Sequence, residues 1–274
     1  MTEANLAPPN DAAIPDDVHA EILRRLVRAE AEHGVRILLA VESGSRAWGF
    51  ASPNSDYDVR FIYAHPPRWY QAVDLEERRD VIEYPIVDDI DLNGWDLRKA
   101  LRLFWKSNPA FAEWIQSPIR YIERGGFADG ARALLSQVYS VESGMYHYRS
   151  MGKNTERAYL RDAQVSLKKY FYALRPLLSV LWLERYGTPA PIEFQKLLHL
   201  IDDRPDLVAD IDDLLARKRN APEAWVGDPV PRIDVFVREQ LARLETMQPD
   251  VERHPSALPG LNTLFHRTLD ENDD

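Results

Sequence analysis

The sequence predicts an α+β protein in which a small mixed sheet with flanking helices is followed by an all-helical C-terminal half. Short runs rich in β-branched and aromatic residues alternate with amphipathic stretches over the first 126 residues. From residue 127 onward strand-like runs become scarce and helical periodicity dominates. The chain has 274 residues, of which 45% are hydrophobic, and this is enough to fill one large core or two modest ones.

We therefore predict four segments. Residues 1–15 form a disordered leader, because they are rich in proline and carry few large apolar side chains. Residues 16–126 form the α/β domain, and residues 127–250 form the helical domain. Residues 251–274 form a tail that ends in an acidic stretch.

The composition restricts the class of protein. The 34 basic and 44 acidic residues give a net charge of −10, which disfavours non-specific nucleic-acid binding over the whole surface but leaves room for a local basic face. The absence of cysteine excludes disulfides, thiolate metal ligands and cysteine nucleophiles. No apolar run approaches about 18 residues and the N-terminus is unlike a secretory signal, so we expect a cytoplasmic protein without a membrane partner.

The elements of the first half follow from apolar periodicity. A helix is predicted over residues 16–33, where apolar side chains recur at helical spacing. The apolar run at 35–41 follows as a buried strand. Gly44 and Ser45 then break that strand and precede a short helix. A loop with turn residues leads to a second strand at 56–63.

Further elements are predicted from residue 80 onward. Residues 80–92 favour one or two strands, with Pro85 at a turn or an edge. Asp96 is expected to cap the next helix, and another helix starts after Pro109. In the helical half, Pro176 should kink or split the second of five helices. Those helices are predicted at residues 131–150, 156–186, 191–199, 205–219 and 231–247.

Two carboxylates stand side by side where the second strand begins. Asp56 and Asp58 are separated by one residue, so on a strand both side chains point to the same face. Two negative charges that close repel each other, and burial increases the cost. Oxygen ligands on one face suit Mg²⁺ or Mn²⁺, which would neutralise them. Alone, such a pair is more often a solvated strand or a turn.

The Gly44-Ser45 pair lies between a buried strand and a short helix. Glycine lets the backbone approach a ligand closely and a helix N-terminus offers free N–H groups, so this segment is a candidate site for the β- and γ-phosphates of a nucleotide. Arg46 and Arg60 are candidate phosphate partners because of their charge and fork geometry. Arg60 should share the face of the two carboxylates, and a salt bridge to one of them is an equally good interpretation.

A third carboxylate on a neighbouring strand would complete a two-metal site by holding the ion that activates the attacking hydroxyl. The candidates are Asp88, Asp89 and Asp91. We favour Asp91, because the apolar residues Ile90 and Leu92 flank it as they would on a strand, and Asp89 is the close alternative. The combination of strand, Gly-Ser, helix, Asp-x-Asp and acidic strand is far more specific than any of its parts.

At these residues the sequence resembles the nucleotidyltransferase superfamily of DNA polymerase β, whose Gly-Ser and acidic pair are spaced as Ser45 and Asp56 are here. Longer strings are similar to one family within it, the RNA repair pathway DNA polymerase β family. Those strings are ESGSRAWGFASPNSDYDVRFIY, DLNGWDLRKAL, KSNPAFAEWIQSPIRY and KKYFYALRPLL. The resemblance covers residues 35–178 and thins out afterwards. Asn54 departs from the family, in which an acidic residue is as common.

The resemblance implies a metal-dependent nucleotidyltransferase that moves a nucleoside monophosphate from an NTP to a hydroxyl while pyrophosphate leaves. It implies that Gly44 and Ser45 hold the phosphates. It further implies that Asp56 and Asp58 bind two Mg²⁺ or Mn²⁺ ions and that Asp91 fills the third acidic position. The family name points to an RNA end as the acceptor, and a protein side chain or a small molecule such as an aminoglycoside are the alternatives.

Three residues of the helical half are candidates for NTP binding. Lys168, Tyr172 and Arg175 are spaced by four and three residues, so they share one face of a helix. That face is predicted to line the cleft, with a cation on the triphosphate and Tyr172 against a base. The alternative is that Phe171 and Leu178 belong to the core and that the basic residues form a solvated surface.

Two other functions remain open at this point. One is a protein-modifying nucleotidyltransferase, which would need the same residues. The other is a toxin–antitoxin partner or an inactive scaffold, a class in which loss of the carboxylates is expected. The intact Asp56 and Asp58 and the long helical half favour an enzyme.

Overall fold

A mixed five-stranded sheet forms the centre of the first half of the chain. The structure is a computed structural model that describes residues 14–220, 225–246 and 255–271. The strands are β1 (Arg36–Glu42), β2 (Tyr57–Ala64), β3 (Val81–Glu83), β4 (Ile90–Asp96) and β5 (Arg120–Glu123). Their order is β3-β4-β2-β1-β5, with β2 and β4 parallel and the other neighbours antiparallel.

Helices pack on both faces of the sheet and make up most of the second half, so the predicted α+β class is confirmed. The helices are α1 (Asp16–His33), α2 (Gly44–Trp48), α3 (Leu97–Trp105), α4 (Pro109–Trp114), α5 (Phe127–Val138), α6 (Val141–Tyr159), α7 (Leu167–Tyr186), α8 (Pro205–Asn220), α9 (Pro231–Arg243) and α10 (Leu258–Asp270). Short 3-10 helices lie at Pro67–Gln71, Leu75–Glu77, Phe194–Ile201 and Pro255–Ala257. Two further strands of two residues each, β6 (Val165–Ser166) and β7 (Val226–Gly227), pair with each other in antiparallel orientation. Most of the predicted leader and the end of the predicted tail lie outside the described residues.

The alternation of side chains along β2 divides the core into two layers. Val59, Phe61 and Tyr63 pack with residues of α1 on one face of the sheet. Ile62 and Ala64 pack with residues of α3, α4 and α5 on the other face. Asp58 and Arg60 belong to the same alternating row as Ile62 and Ala64, so they lie at the open end of that second face.

The predicted domain boundary at residue 126 needs correction for α5. Phe127 and Ala131 of α5 share one core with Phe104 of α3 and Phe111 of α4. This helix therefore packs on the sheet instead of joining the helical half. Helical periodicity identifies a helix but does not say which core its apolar face covers, and this is why the boundary was misplaced.

The prediction of a tail over residues 251–274 is wrong for α10. This helix packs against α3 and α5, and its Leu261 and Leu264 are buried in the same core as Phe127. Its apolar residues recur at helical spacing, but charged residues surround them in the sequence. The C-terminal segment thus returns to the sheet layer after the chain has built the helical half.

We expect Leu264→Ala to lower the free energy of unfolding by about 2–5 kcal/mol, because it leaves a cavity between α10 and its neighbours. Urea unfolding followed by circular dichroism measures the change. Asn262→Ala is the matched control, because Asn262 is an exposed position of the same helix. Equal stability of both variants would show that α10 is not packed on the sheet layer.

The helical half divides differently from the sequence prediction. The break between α5 and α6 falls at Ser140, whose hydroxyl accepts a hydrogen bond from the main-chain N–H of Ser143 at 3.2 Å and so caps α6. Pro176 does not split its helix, since α7 runs without interruption from Leu167 to Tyr186. Within the described residues, no helix has both the length and the apolar character needed to cross a bilayer.

Candidate functional site

Parallel pairing of β2 and β4 places Asp58 and Asp91 directly beside each other as register partners. Arg60 donates a hydrogen bond to Asp58 Oδ1 at 2.9 Å and another to Asp91 Oδ2 at 2.7 Å. Asp89 lies in the turn before β4, with φ at +59°, and its main-chain oxygen accepts from the N–H of Tyr57. Of the two alternatives for the third carboxylate, Asp91 is the one that the strand register brings to Asp58.

Four other charged side chains act on Asp58. Burial raises the pKa of the Asp58 carboxyl above its usual value, and repulsion from Asp91 and Asp56 acts in the same direction. Arg60 and Lys168 oppose this effect. Asp56 immediately precedes β2 instead of opening it. Asp58 and Asp91 therefore lie side by side, and the charges of Asp56, Arg60 and Lys168 act on Asp58.

Gly44 lies against the Asp58 carboxylate, and only glycine fits there. Its φ is +59°, in the left-handed region, and a Cβ at this position would lie 1.9 Å from Asp58 Oδ2. The main-chain N–H of Ser43 donates to the main-chain oxygen of Asp58 at 2.9 Å. The Gly-Ser segment is therefore fixed to the carboxylate strand, with Ser45 almost fully buried in α2.

The guanidinium of Arg46 is buried and already bonded within the protein. It is 6% exposed, and its guanidinium donates to the main-chain oxygens of Ser55 and Asp56 at 2.6 and 3.3 Å. It also lies over the ring of Tyr57, 4.0 Å from the centroid. The prediction of Arg46 as a phosphate partner is thus corrected: it positions the loop that carries Asp56.

The predicted face of Lys168, Tyr172 and Arg175 on α7 does turn toward the sheet layer. Lys168 is near enough to act on the Asp58 charge, and its Nζ lies 5.4 Å from the centroid of the Tyr172 ring. Tyr172 contacts Trp48, the last residue of α2, edge to face at 5.5 Å between centroids. The first turns of α7 therefore border the carboxylate site.

Arg175 is part of the core instead of the cleft. It is 1% exposed, its Nη1 donates to Glu113 Oε1 at 2.9 Å, and its Nε donates to the main-chain oxygen of Ile192 at 3.2 Å. Its guanidinium lies over the Trp48 ring, and the hydroxyl of Tyr148 donates to the same Glu113 oxygen. The prediction that Arg175 binds NTP is corrected: it joins the helical half to the sheet layer through a buried ion pair.

Glu42 is a residue of the site that the sequence interpretation missed. It is the last residue of β1 and is fully buried. Its Oε1 accepts the main-chain N–H of Asp58 at 2.9 Å, and its Oε2 accepts the hydroxyl of Tyr121 at 2.6 Å. Burial raises the pKa of Glu42 to about 7. The available signal was an acidic residue that ends an apolar strand just before Ser43-Gly44.

We expect Glu42→Gln to stabilise the cation-free protein above pH 7. The pKa of Glu42 in the folded state is raised from 4.5 to about 7. The protonated side chain therefore makes its full contribution to the free energy of unfolding below pH 4.5, and this contribution is lost as the pH rises to about 7. The loss is about 3 kcal/mol at about 1.36 kcal/mol per pKa unit. The amide oxygen of glutamine accepts the N–H of Asp58, its amide N–H donates to the Tyr121 hydroxyl, and glutamine does not titrate.

Chemical unfolding at a series of pH values in a chelating buffer measures this effect. The unaltered chain should lose stability between pH 4.5 and about 7 relative to Glu42→Gln. Parallel stability profiles of the two proteins would contradict the buried, titrating carboxyl.

The donor set fits a divalent cation in charge and chemistry. Asp56, Asp58 and Asp91 supply only oxygen ligands, and their mutual repulsion favours a bound cation. In this structure Arg60 supplies the positive charge between Asp58 and Asp91. Within residues 14–220, 225–246 and 255–271, no three acidic or histidine side chains converge closely enough to hold an ion. Arg60 bonds one oxygen of each carboxylate, so Asp58 Oδ2 and Asp91 Oδ1 have no bond to Arg60.

Comparison with known proteins identifies a sequence relative and a solved structure to which this chain is similar. A protein from Bacillus subtilis (strain 168), named as the uncharacterized protein YcgL, is 42% identical over 251 residues, which are 91% of this chain and 96% of the relative. A crystal structure of a nucleotidyltransferase-like protein from Exiguobacterium sibiricum 255-15 aligns with 92% of this chain and 81% of its own, at 14% identity. Its TM-score is 0.28, too low to support any conclusion about shared geometry.

The sequence matches the RNA repair pathway DNA polymerase beta family over residues 18–267. This match spans the sheet layer, the helical half and most of α10, and so extends well beyond the strings that carry the resemblance in the sequence. The chain therefore belongs to the RNA repair pathway DNA polymerase beta family.

Proposed function

We propose that the chain is a metal-dependent nucleotidyltransferase that transfers a nucleoside monophosphate from an NTP to a hydroxyl acceptor. The observation that carries the proposal is the register of β2 and β4, which pairs Asp58 with Asp91. Gly44 in contact with Asp58 adds a backbone segment that a phosphate can approach closely. Membership of a DNA polymerase β-type family supports the same reaction class.

Each residue of the site has an assigned role. Asp56, Asp58 and Asp91 would hold the divalent cations, Mg²⁺ or Mn²⁺. Bound there, two such ions would stabilise charge on the attacking and departing oxygens. Lys168 and Arg60 are the cations within reach of the same carboxylates, and we assign both to the triphosphate. Arg60 thus serves as an internal counter-ion until substrate and cation arrive, which unites the two interpretations of this residue.

The reaction is an in-line displacement at the α-phosphorus of the NTP. The acceptor hydroxyl oxygen forms a bond to that phosphorus and loses its proton to water. The bond between the α-phosphorus and the oxygen that bridges it to the β-phosphorus breaks, and pyrophosphate leaves with the electron pair. The chain contributes positioning and a fixed electrostatic environment, which are worth several orders of magnitude in rate.

We propose the terminal hydroxyl of an RNA as the acceptor. The support is the family description, which names an RNA repair pathway. A net charge of −10 requires such a strand to meet a local basic surface, since the chain as a whole repels polyanions.

Transfer of α-³²P-labelled NTPs to a panel of acceptors tests the acceptor class. The panel contains RNAs with different 3′ ends, the protein itself, lysate protein and aminoglycosides, each with Mg²⁺, with Mn²⁺ and with a chelator. The proposal predicts label on RNA that the chelator abolishes. Label on protein would replace RNA by a protein side chain as acceptor. NTP binding without label anywhere would support a toxin–antitoxin or scaffold role instead.

A further inference from the structure

A basic groove lies beside α3, away from the carboxylates. It has a volume of about 240 Å³ and lies between α3 and the segment that follows β2. Five cationic and three acidic side chains line it. The cationic ones are Arg78, Arg98, Lys99, Arg102 and Lys106.

The acidic side chains of the groove are already engaged. Arg98 pairs with Glu76 and Lys99 pairs with Asp80, each at 2.9 Å. Asp96 is buried, and it accepts hydrogen bonds from a tyrosine hydroxyl and from the main chain at the start of α3. The exposed charge that remains in the groove is therefore positive.

Two cations of the groove keep their charge exposed. Arg102 and Lys106 are exposed, and throughout the part of the chain that the structure describes no carboxylate forms an ion pair with either. With Arg98 they form a row in which each residue follows the last by four, which corresponds to about 6 Å along a helix axis. A row of charges at regular intervals fits a chain of anions better than a single anion.

The position of the groove separates it from the NTP site. Asp96 ends β4 five residues after Asp91, which is about 17 Å along a strand. No group of the groove can therefore ion-pair with a phosphate that lies against Asp91. The indole of Trp69 lines the groove with the guanidinium of Arg78 over it, 5.2 Å from the ring centroid. Arg78 pairs with Asp74 at 2.9 Å and the Trp69 ring stacks on His65, so these side chains form the wall of the groove, and the charge offered to a ligand is that of Arg102 and Lys106.

We infer that this groove binds the phosphodiester backbone of a single-stranded RNA, upstream of the end that reacts at the carboxylates. The inference rests on the proposed function, because it concerns the acceptor of that reaction. Guanidinium and ammonium groups bind phosphates without reading sequence. The groove therefore selects an acceptor by its length and charge, and the NTP site acts only on its terminus.

Fluorescence anisotropy of an end-labelled single-stranded RNA, titrated with the full chain at several salt concentrations, tests the groove. The variant is Arg102→Gln with Lys106→Gln, which removes two charges from exposed positions. Each phosphate contact contributes about 0.7 to the slope of log K against log salt, so the slope should fall by about 1.4. At about 0.1 M salt this corresponds to a loss of affinity of about 25-fold.

Arg24→Gln with Arg28→Gln is the matched control. These arginines are also exposed and four residues apart, and they lie on α1, which packs on the opposite face of the sheet. The control should keep the affinity and salt slope of the unaltered chain. If the groove variant keeps the affinity and the salt slope of the control, the proposed groove is wrong.

The binding measurement contains no NTP, so its outcome is independent of transfer. If the unaltered chain transfers nucleotide to RNA and the groove variant binds RNA as tightly as the unaltered chain, the proposed function stands and the groove proposal is wrong. If the unaltered chain transfers no nucleotide and the groove variant binds RNA more weakly, the groove proposal stands and the proposed function is wrong. Circular dichroism of the double variant establishes that the fold is retained.

Discussion

Asp58→Asn is expected to abolish nucleotidyl transfer while the chain remains folded. Asp58 is the centre of the site: Asp91 is its register partner, Gly44 packs against its carboxylate, Arg60 bonds it, and the charge of Lys168 acts on it. Loss of an outer-shell partner of a metal site already costs about 10–100-fold in activity, and loss of a direct ligand should cost more. Asparagine keeps an oxygen for Arg60 and removes a charge whose burial is unfavourable, so stability should not fall.

The measurement compares initial transfer rates and thermal unfolding of Asp58→Asn with those of Asp89→Asn. Asp89 lies two residues before Asp91 and offers the same chemical change, but its turn places it outside the register pair. The control should keep both activity and stability. Activity in Asp58→Asn equal to that of the unaltered chain would contradict the assignment of the carboxylates.

Arg175→Met is expected to lower the free energy of unfolding by about 3–5 kcal/mol, because it leaves the Glu113 carboxylate buried without its cation. The side chains of Arg175 and Glu113 are 2% and 7% exposed, so solvent cannot replace the lost partner. Chemical unfolding at neutral pH measures the loss.

A double variant, Arg175→Met with Glu113→Gln, separates the missing charge from the missing packing. It should recover much of the lost stability, since a buried pair removed as a unit costs far less than one broken in half. The KM for NTP measured at low temperature should change little in either variant. A large rise in the KM for NTP without a loss of stability would show that Arg175 binds the phosphates of the NTP.

The sequence predicted the elements from α1 to β2 and some of the residues that lie around Asp58, whereas β5 was not predicted and α5 and α10 were assigned outside the sheet layer. Apolar runs located β1 and β2, and the two-residue period placed Arg60 on the face of Asp58. The preference for Asp91 over Asp89 depended only on the apolar neighbours of each, and the parallel register of β2 and β4 agrees with it.

What the sequence could not give was burial between distant segments. Arg46, Arg175 and Glu113 are charged, and charge alone predicts exposure or ligand binding. Arg175 and Glu113 pair with each other from distant helices, and Arg46 is enclosed by the loop that follows α2, so only the tertiary structure reveals their partners. Glu42 was missed for the same reason, because its partner Tyr121 lies on β5.

The central claim, that the paired carboxylates serve nucleotidyl transfer, is tested most directly by comparing two labels in one reaction. The unaltered chain and the Asp58→Asn variant are each incubated with divalent cation, RNA and ATP. In one set of reactions the ATP is labelled at the α-phosphorus, and in the other set at the γ-phosphorus. The account predicts that the α label enters the acceptor, that the γ label is released as pyrophosphate, and that the variant does neither. Transfer of the γ label to the acceptor, or equal transfer by the variant, would contradict it.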